Sequence, residues 1–175
     1  MENACDASIY HPSVTEGLER HGISARPMAC DPDFADTALF CERYNYALSQ
    51  SANAIIVASK SEPVRFACCI ILATTKLDVN KTVRNLLDVR KASFATAEQT
   101  VELTGMQIGG VTPFGLPDIP IYIDSAVMTN QEVVAGGGNR SSKVLLDPKE
   151  LTKLPNSQVI EGLALPKVNK GEEIA

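Results

Sequence analysis

Two rhythms of apolar residues alternate along this chain. Apolar positions three or four apart mark one face of a helix, and dense or alternating runs mark strands. Residues 12–21 read as a short helix: Pro12 suits the first turn, Val14 and Leu18 share a face, and Gly22 suits the exit. A strand is predicted over residues 23–30, and Asp31-Pro32-Asp33 is turn chemistry. A second helix is predicted over residues 37–48, burying Leu39, Tyr44 and Leu48. The strongest β signal comes next. Apolar runs at residues 54–58 and 64–74 flank the turn Ser61-Glu62-Pro63, as in a hairpin with both faces covered. Asp78 is placed to cap a helix reaching about residue 87, with Val79, Val83 and Leu86 on one side. After a short strand at residues 91–94, Thr96-Ala97-Glu98-Gln99 has the capping-box form, which predicts a helix to Thr104 stopped by Gly105. Beyond an irregular stretch, strands are predicted at residues 119–124, 132–135 and 143–146. Asp147-Pro148 opens a last helix to about residue 154, and Val159 and Ile160 close the sheet.

Short helices between closely spaced β segments leave no room for repeated βαβ units. The predicted fold class is therefore α/β of the mixed (α+β) kind. It is one domain over residues 1–166, with a curved, barrel-like mixed sheet surrounded by short helices. The charged, Gly-containing residues 167–175 are expected to form a disordered tail. Apolar residues make up 45% of the chain, with 5% aromatic and no Trp, so Val, Ile, Leu and Ala must fill the core. No apolar run reaches membrane-spanning length and the first residues lack signal-peptide character, so a cytoplasmic protein without a membrane partner is expected. The five Cys match no metal-ligand spacing. The adjacent Cys68 and Cys69 would face opposite sides of a strand, and a reducing compartment fits. No metal is expected. The net charge of −5 argues against a long grip on nucleic acid, DNA included, while leaving room for contact with an RNA end.

Candidate chemistry concentrates in the loop Gly109, Gly110, Val111, Thr112, Pro113, Phe114, Gly115. Glycine lets a ligand approach the main chain, and exposed N–H groups can hold a carboxylate, a phosphate or a developing oxyanion. A plain tight turn between helix and strand is the competing account, although Thr112 and Phe114 add a hydroxyl and an aromatic wall. The second glycine cluster, Gly136-Gly137-Gly138-Asn139-Arg140, needs no function as a hairpin turn and is neither a P-loop nor a dinucleotide fingerprint. Asp124 ends an apolar strand, either as a placed acid or as a cap on the next turn. His11 and His21 sit beside no nucleophile pattern, the basic segment 81–91 reads as a solvated helix face or a phosphate contact, and thiols inside an apolar strand tend to be inert.

The stretch Thr104-Gly105-Met106-Gln107-Ile108-Gly109-Gly110-Val111-Thr112-Pro113-Phe114-Gly115 resembles the signature of the YbaK/ProX family of free-standing domains and prolyl-tRNA-synthetase editing insertions. The likeness spans residues 12–164 and takes in Ile121-Tyr122-Ile123-Asp124 and the second glycine turn. It implies a trans-acting aminoacyl-tRNA deacylase that hydrolyses the ester of a mischarged tRNA of the proline type, with no cofactor. The 3′ end of aminoacyl-tRNA is the implied partner, with a synthetase or elongation factor as a possible helper. By resemblance, Gly109 and Gly110 would hold the oxyanion. Val111, Thr112, Pro113, Phe114 and Gly115, with Asp124, Gly138 and Asn139, would bind substrate. One departure stands out: Asn53 occupies the position where many members carry Lys; Lys60 and Lys76 are nearby in sequence, but nothing in the sequence assigns either the role of the missing amine. Two function classes follow. In a deacylase, Asn53 orients the ribose or the carbonyl, and Val57, Ile70 and Phe114 line an amino-acid pocket. The alternative is a non-catalytic module that binds tRNA, an amino acid or a synthetase through a degenerate site.

Overall fold

The computed structural model describes residues 9–167, so the expected tail lies, except for Lys167, outside the described residues. The elements run α1 (Pro12–Arg20), β1 (Arg26–Ala29), α2 (Thr37–Tyr44), β2 (Ala52–Ser59), β3 (Phe66–Leu72) and β4 (Thr75–Leu77). They continue with α3 (Arg84–Leu87), β5 (Ala92–Phe94), α4 (Ala97–Thr104), β6 (Ile121–Asp124), β7 (Val133–Gly136), β8 (Ser142–Leu146), β9 (Ser157–Ile160) and β10 (Ala164–Pro166).

The α/β mixture is as expected. A five-stranded sheet has the order β5-β2-β3-β6-β9, a three-stranded sheet the order β1-β8-β7, and β10 pairs with β4. The β2–β3 hairpin is antiparallel, whereas β6 lies parallel to both β3 and β9. The sheets do not close into a barrel. A parallel bridge between Ser51 and Val134 joins the start of β2 to the three-stranded sheet.

The period-two alternation of strands divides the core into three. On β3, Cys68, Ile70 and Leu72 enter one cluster, with Val133, Ala135, Val144 and Leu146 of the smaller sheet. Ala67, Cys69 and Ile71 enter a second, with Leu77, Val83, Leu87 and Leu163. Both faces of the hairpin are thus covered, and Cys68 and Cys69 do face opposite ways. Burial pushes the Cys69 thiol up to about 12 and Cys68 well above the ordinary thiol value, so neither supplies a nucleophile. In the third cluster, Val134 and Leu145 on the other face of β7 and β8 pack with Phe40 of α2.

Local chemistry explains most boundaries. At α4, Thr96 Oγ1 accepts from Gln99 N–H at 3.0 Å, Gln99 Oε1 accepts from Thr96 N–H at 2.9 Å, and Gly105 ends the helix at φ +71°. Three expectations need correction. The helix from Thr37 stops at Tyr44 because Asn45 turns left-handed at φ 63°, and Leu48 begins a separate 3₁₀ turn. Phe40 and Cys41, not Leu39 and Leu48, face inward. Asp78 does not cap a regular helix: a π-helical turn, Val79–Val83, precedes α3, and Asp78 accepts from the Thr82 hydroxyl instead. The helix after Asp147 is likewise a 3₁₀ segment, Pro148–Lys153.

Candidate functional site

A cavity of about 390 Å³ opens where β2, the 109–111 segment, β7 and β8 meet; Asn53, Gly109, Val111, Gly136 and Lys143 line it. Phe40, Ile55, Phe94 and Val134 supply apolar walls, and Thr37 and Ser51 add hydroxyls. Asn53 sits one residue inside β2. Its Oδ1 accepts from Thr37 Oγ1 at 3.1 Å and from Ser51 Oγ at 3.0 Å, which fixes the amide and leaves the NH₂ to donate.

The glycine loop divides its residues among three destinations. Gly109 and Val111 reach the cavity. Thr112 and Phe114 are fully buried, and Phe114 belongs to the first core cluster. Pro113 and Gly115 border a separate hollow beside Arg20 and His21, and Gly115 is packed on Ser13 and Gly17 of α1. Gly110 N–H donates to Gln107 O at 2.9 Å, so in this conformation it is not free to meet an oxyanion. Gly109, by contrast, carries φ +95° and makes no hydrogen bond through its N–H among the described residues. Arg140 pins this corner: its guanidinium donates to Asp36 Oδ1 at 3.1 Å, Ile108 O at 3.2 Å and Pro32 O at 3.0 Å.

The two glycine clusters turn out to need each other. Gly138 N–H donates to Gly110 O at 2.7 Å, and Gln107 N–H donates to Gly138 O at 3.0 Å. A Cβ on Gly136 would lie 2.6 Å from Gly110 O and 2.8 Å from Val111 O. Backbone therefore packs directly on backbone, which only glycine permits. Asn139 holds the turn shut: Nδ2 donates to Ile9 O at 2.9 Å, and Oδ1 accepts from Ser142 Oγ at 2.7 Å. Gly138 and Asn139 thus shape the wall without lining the cavity. Asp124 lies elsewhere, with Oδ1 accepting from Ala164 N–H at 3.3 Å; it makes no side-chain cap on the turn after it.

Val57, Ile70 and Phe114 do not line the cavity; they sit in the core, and Phe40, Ile55, Phe94 and Val134 take their expected place. Sequence reading also missed Lys143. It is 7% exposed, and its Nζ donates to Ala35 O at 2.7 Å and lies 5.1 Å above the Phe40 ring centre. Among the described residues it has no carboxylate within ion-pair distance, and Asp36 nearby is engaged by Arg140. Burial pulls the Lys143 ammonium below the ordinary lysine value. The available signal was a lone Lys at the head of the apolar run Val144-Leu145-Leu146, directly after the second glycine turn.

Fold and cavity together define a small α/β fold with an apolar cleft edged by main-chain and amide donors. Residues 31–154 match the aminoacyl-tRNA editing domain, and the chain belongs to that family. It is 32% identical over 119 residues to the uncharacterized protein YwhH of Bacillus subtilis (strain 168), covering 67% of this chain and 73% of that protein. Among solved structures, hypothetical protein APE2540 superposes with TM-score 0.77 at 23% identity, over 87% of this chain and 99% of its own. A proposed trans-editing enzyme for prolyl tRNA synthetase superposes with TM-score 0.75 at 24% identity, over 90% and 96%. At these identities the structural likeness speaks for the fold.

Proposed function

We propose that this protein is a trans-acting aminoacyl-tRNA deacylase that clears a small amino acid from a mischarged tRNA of the proline type. The observation that carries the reading is the meeting of Asn53 and Gly109 in one apolar-walled cavity, inside a domain of the editing family. The amino acid enters between Phe40, Ile55 and Val134, and water adds to the ester carbonyl. The free Gly109 N–H meets the oxyanion, and the Asn53 NH₂ orients the carbonyl or the terminal ribose. Asn53 brings no charge, and a neutral hydrogen bond is about half as strong as a charge-assisted one. Selection rests on size: a smaller amino acid enters and a larger cognate one clashes, with about 1–3 kcal/mol per methylene.

The net charge of −5 fits weak intrinsic tRNA affinity, with a synthetase or elongation factor holding the tRNA in the cytoplasm. The test is hydrolysis of Ala-, Cys-, Ser- and Thr-charged proline tRNA by purified protein whose fold is verified by melting. Release of one amino acid well above the spontaneous rate supports the reading. Spontaneous rates throughout would leave a non-catalytic binding module in its place.

A further inference from the structure

We propose that Lys143 supplies the positive charge of the editing site, reaching the ester from β8 in the cavity that Asn53 also lines. This rests on the deacylase reading and deepens it. A buried ammonium is costly unless something compensates it. Here the compensation is partial: one carbonyl of Ala35 and the face of Phe40. An ammonium has three N–H donors, so two remain for a ligand. The groups facing it are Cys30, Cys41, Arg140 and Asp36. Burial raises both thiols, so they stay neutral, and Arg140 takes the Asp36 carboxylate. The cavity thus holds a cation with spare donors and no anion of its own, beside an Asn that is neutral.

The chemistry that fits is charge developing on an ester. Water adds to the carbonyl carbon and the C=O electron pair moves onto oxygen. That oxyanion is held by the Lys143 ammonium and the Gly109 N–H. Its collapse re-forms the C=O and breaks the bond to the ribose oxygen, which leaves as a hydroxyl with a proton from the added water. The second proton passes to solvent from the amino-acid carboxyl group. Lys143 keeps its protons throughout and acts by charge.

The experiment is deacylation by native protein, Lys143→Met and the double variant Asn53→Lys/Lys143→Met, with melting as the fold check. The expected result is a loss of about 100-fold or more in kcat for Lys143→Met and recovery of about tenfold or more in the double variant, because an amine returns to the same cavity from β2. A merely structural lysine would not be rescued that way. Native activity with Lys143→Met within threefold of it overturns the proposal while leaving the deacylase reading intact. Inactive native protein defeats that reading, and binding of alanyl-3′-amino-3′-deoxyadenosine, an uncleavable amide of the ester, then decides. At least tenfold weaker binding by Lys143→Met supports the proposal; equal binding overturns it. Should that variant not fold, the Lys143 Nζ resonance of native protein decides: a shift on saturation with the same amide supports it, and no shift overturns it.

Discussion

Gly110→Ala isolates the contact between the two glycine segments, because Gly110 has no left-handed backbone to confuse the result. A Cβ there would lie 2.7 Å from both the carbonyl carbon and the amide nitrogen of Asn139, and closer still to its oxygen. These are backbone atoms, so the turn must retreat by the better part of an ångström. The retreat breaks the 2.7 Å bond from Gly138 N–H to Gly110 O. Overpacking costs roughly 1–3 kcal/mol and the lost bond about 0.5–1.5, for a sum of roughly 1.5–4.5 kcal/mol. Gly105→Ala is the complementary control: nothing lies within 4 Å of its Cβ, but φ is +71°. Left-handed backbone alone costs about 1–2 kcal/mol. Urea unfolding of both variants should show Gly110→Ala with the larger fall in midpoint and an unchanged slope. If Gly110→Ala costs less than about 0.5 kcal/mol, or less than Gly105→Ala, the two segments are not in rigid backbone contact.

Lys143→Met should leave stability unchanged or raise it, since an apolar side chain of similar length replaces a poorly compensated buried charge. The lysine's pKa is lowered in the folded state, so its penalty is full below that value and fades as pH rises towards 10.5; the stability gap between native protein and Lys143→Met, read by urea unfolding, should narrow over that range. Thr112→Val removes a hydroxyl that is buried with no hydrogen-bond partner among the described residues, so it should stabilise by about 1 kcal/mol in thermal melts and leave deacylation within twofold. Phe94 is 55% exposed at the cavity, so Phe94→Ala should cost little stability. If the terminal adenine stacks on it, KM should rise about fivefold or more in steady-state deacylation, since such stacking is worth about 1–3 kcal/mol.

What the sequence made legible was local. The Thr96–Gln99 capping box, the exit at Gly105 and the alternation along β3 each depend on neighbours in the chain, and each appears as read. One local signal was passed over: Asn45, a residue type that tolerates the left-handed turn, ends α2 early, and Phe40 takes the inward face. The family and the glycine loop were legible through a motif, but the motif could not say where each residue points. Thr112 and Phe114 supply core, and Gly110 closes a turn. The cavity itself is non-local. It exists because the Ser51–Val134 bridge lays β2 against β7, which carries β8 and Lys143 with it. No spacing along the chain encodes that meeting.

On the proposed function, this cavity receives the aminoacyl end. Backbone amide shifts of ¹⁵N-labelled protein, followed during titration with alanyl-3′-amino-3′-deoxyadenosine, report where that end binds. The largest saturable changes are expected at Asn53, Gly109, Val111 and Gly136. Changes confined to the groove around Lys76, Leu165 and Lys167, with those four residues unmoved, would contradict that reading.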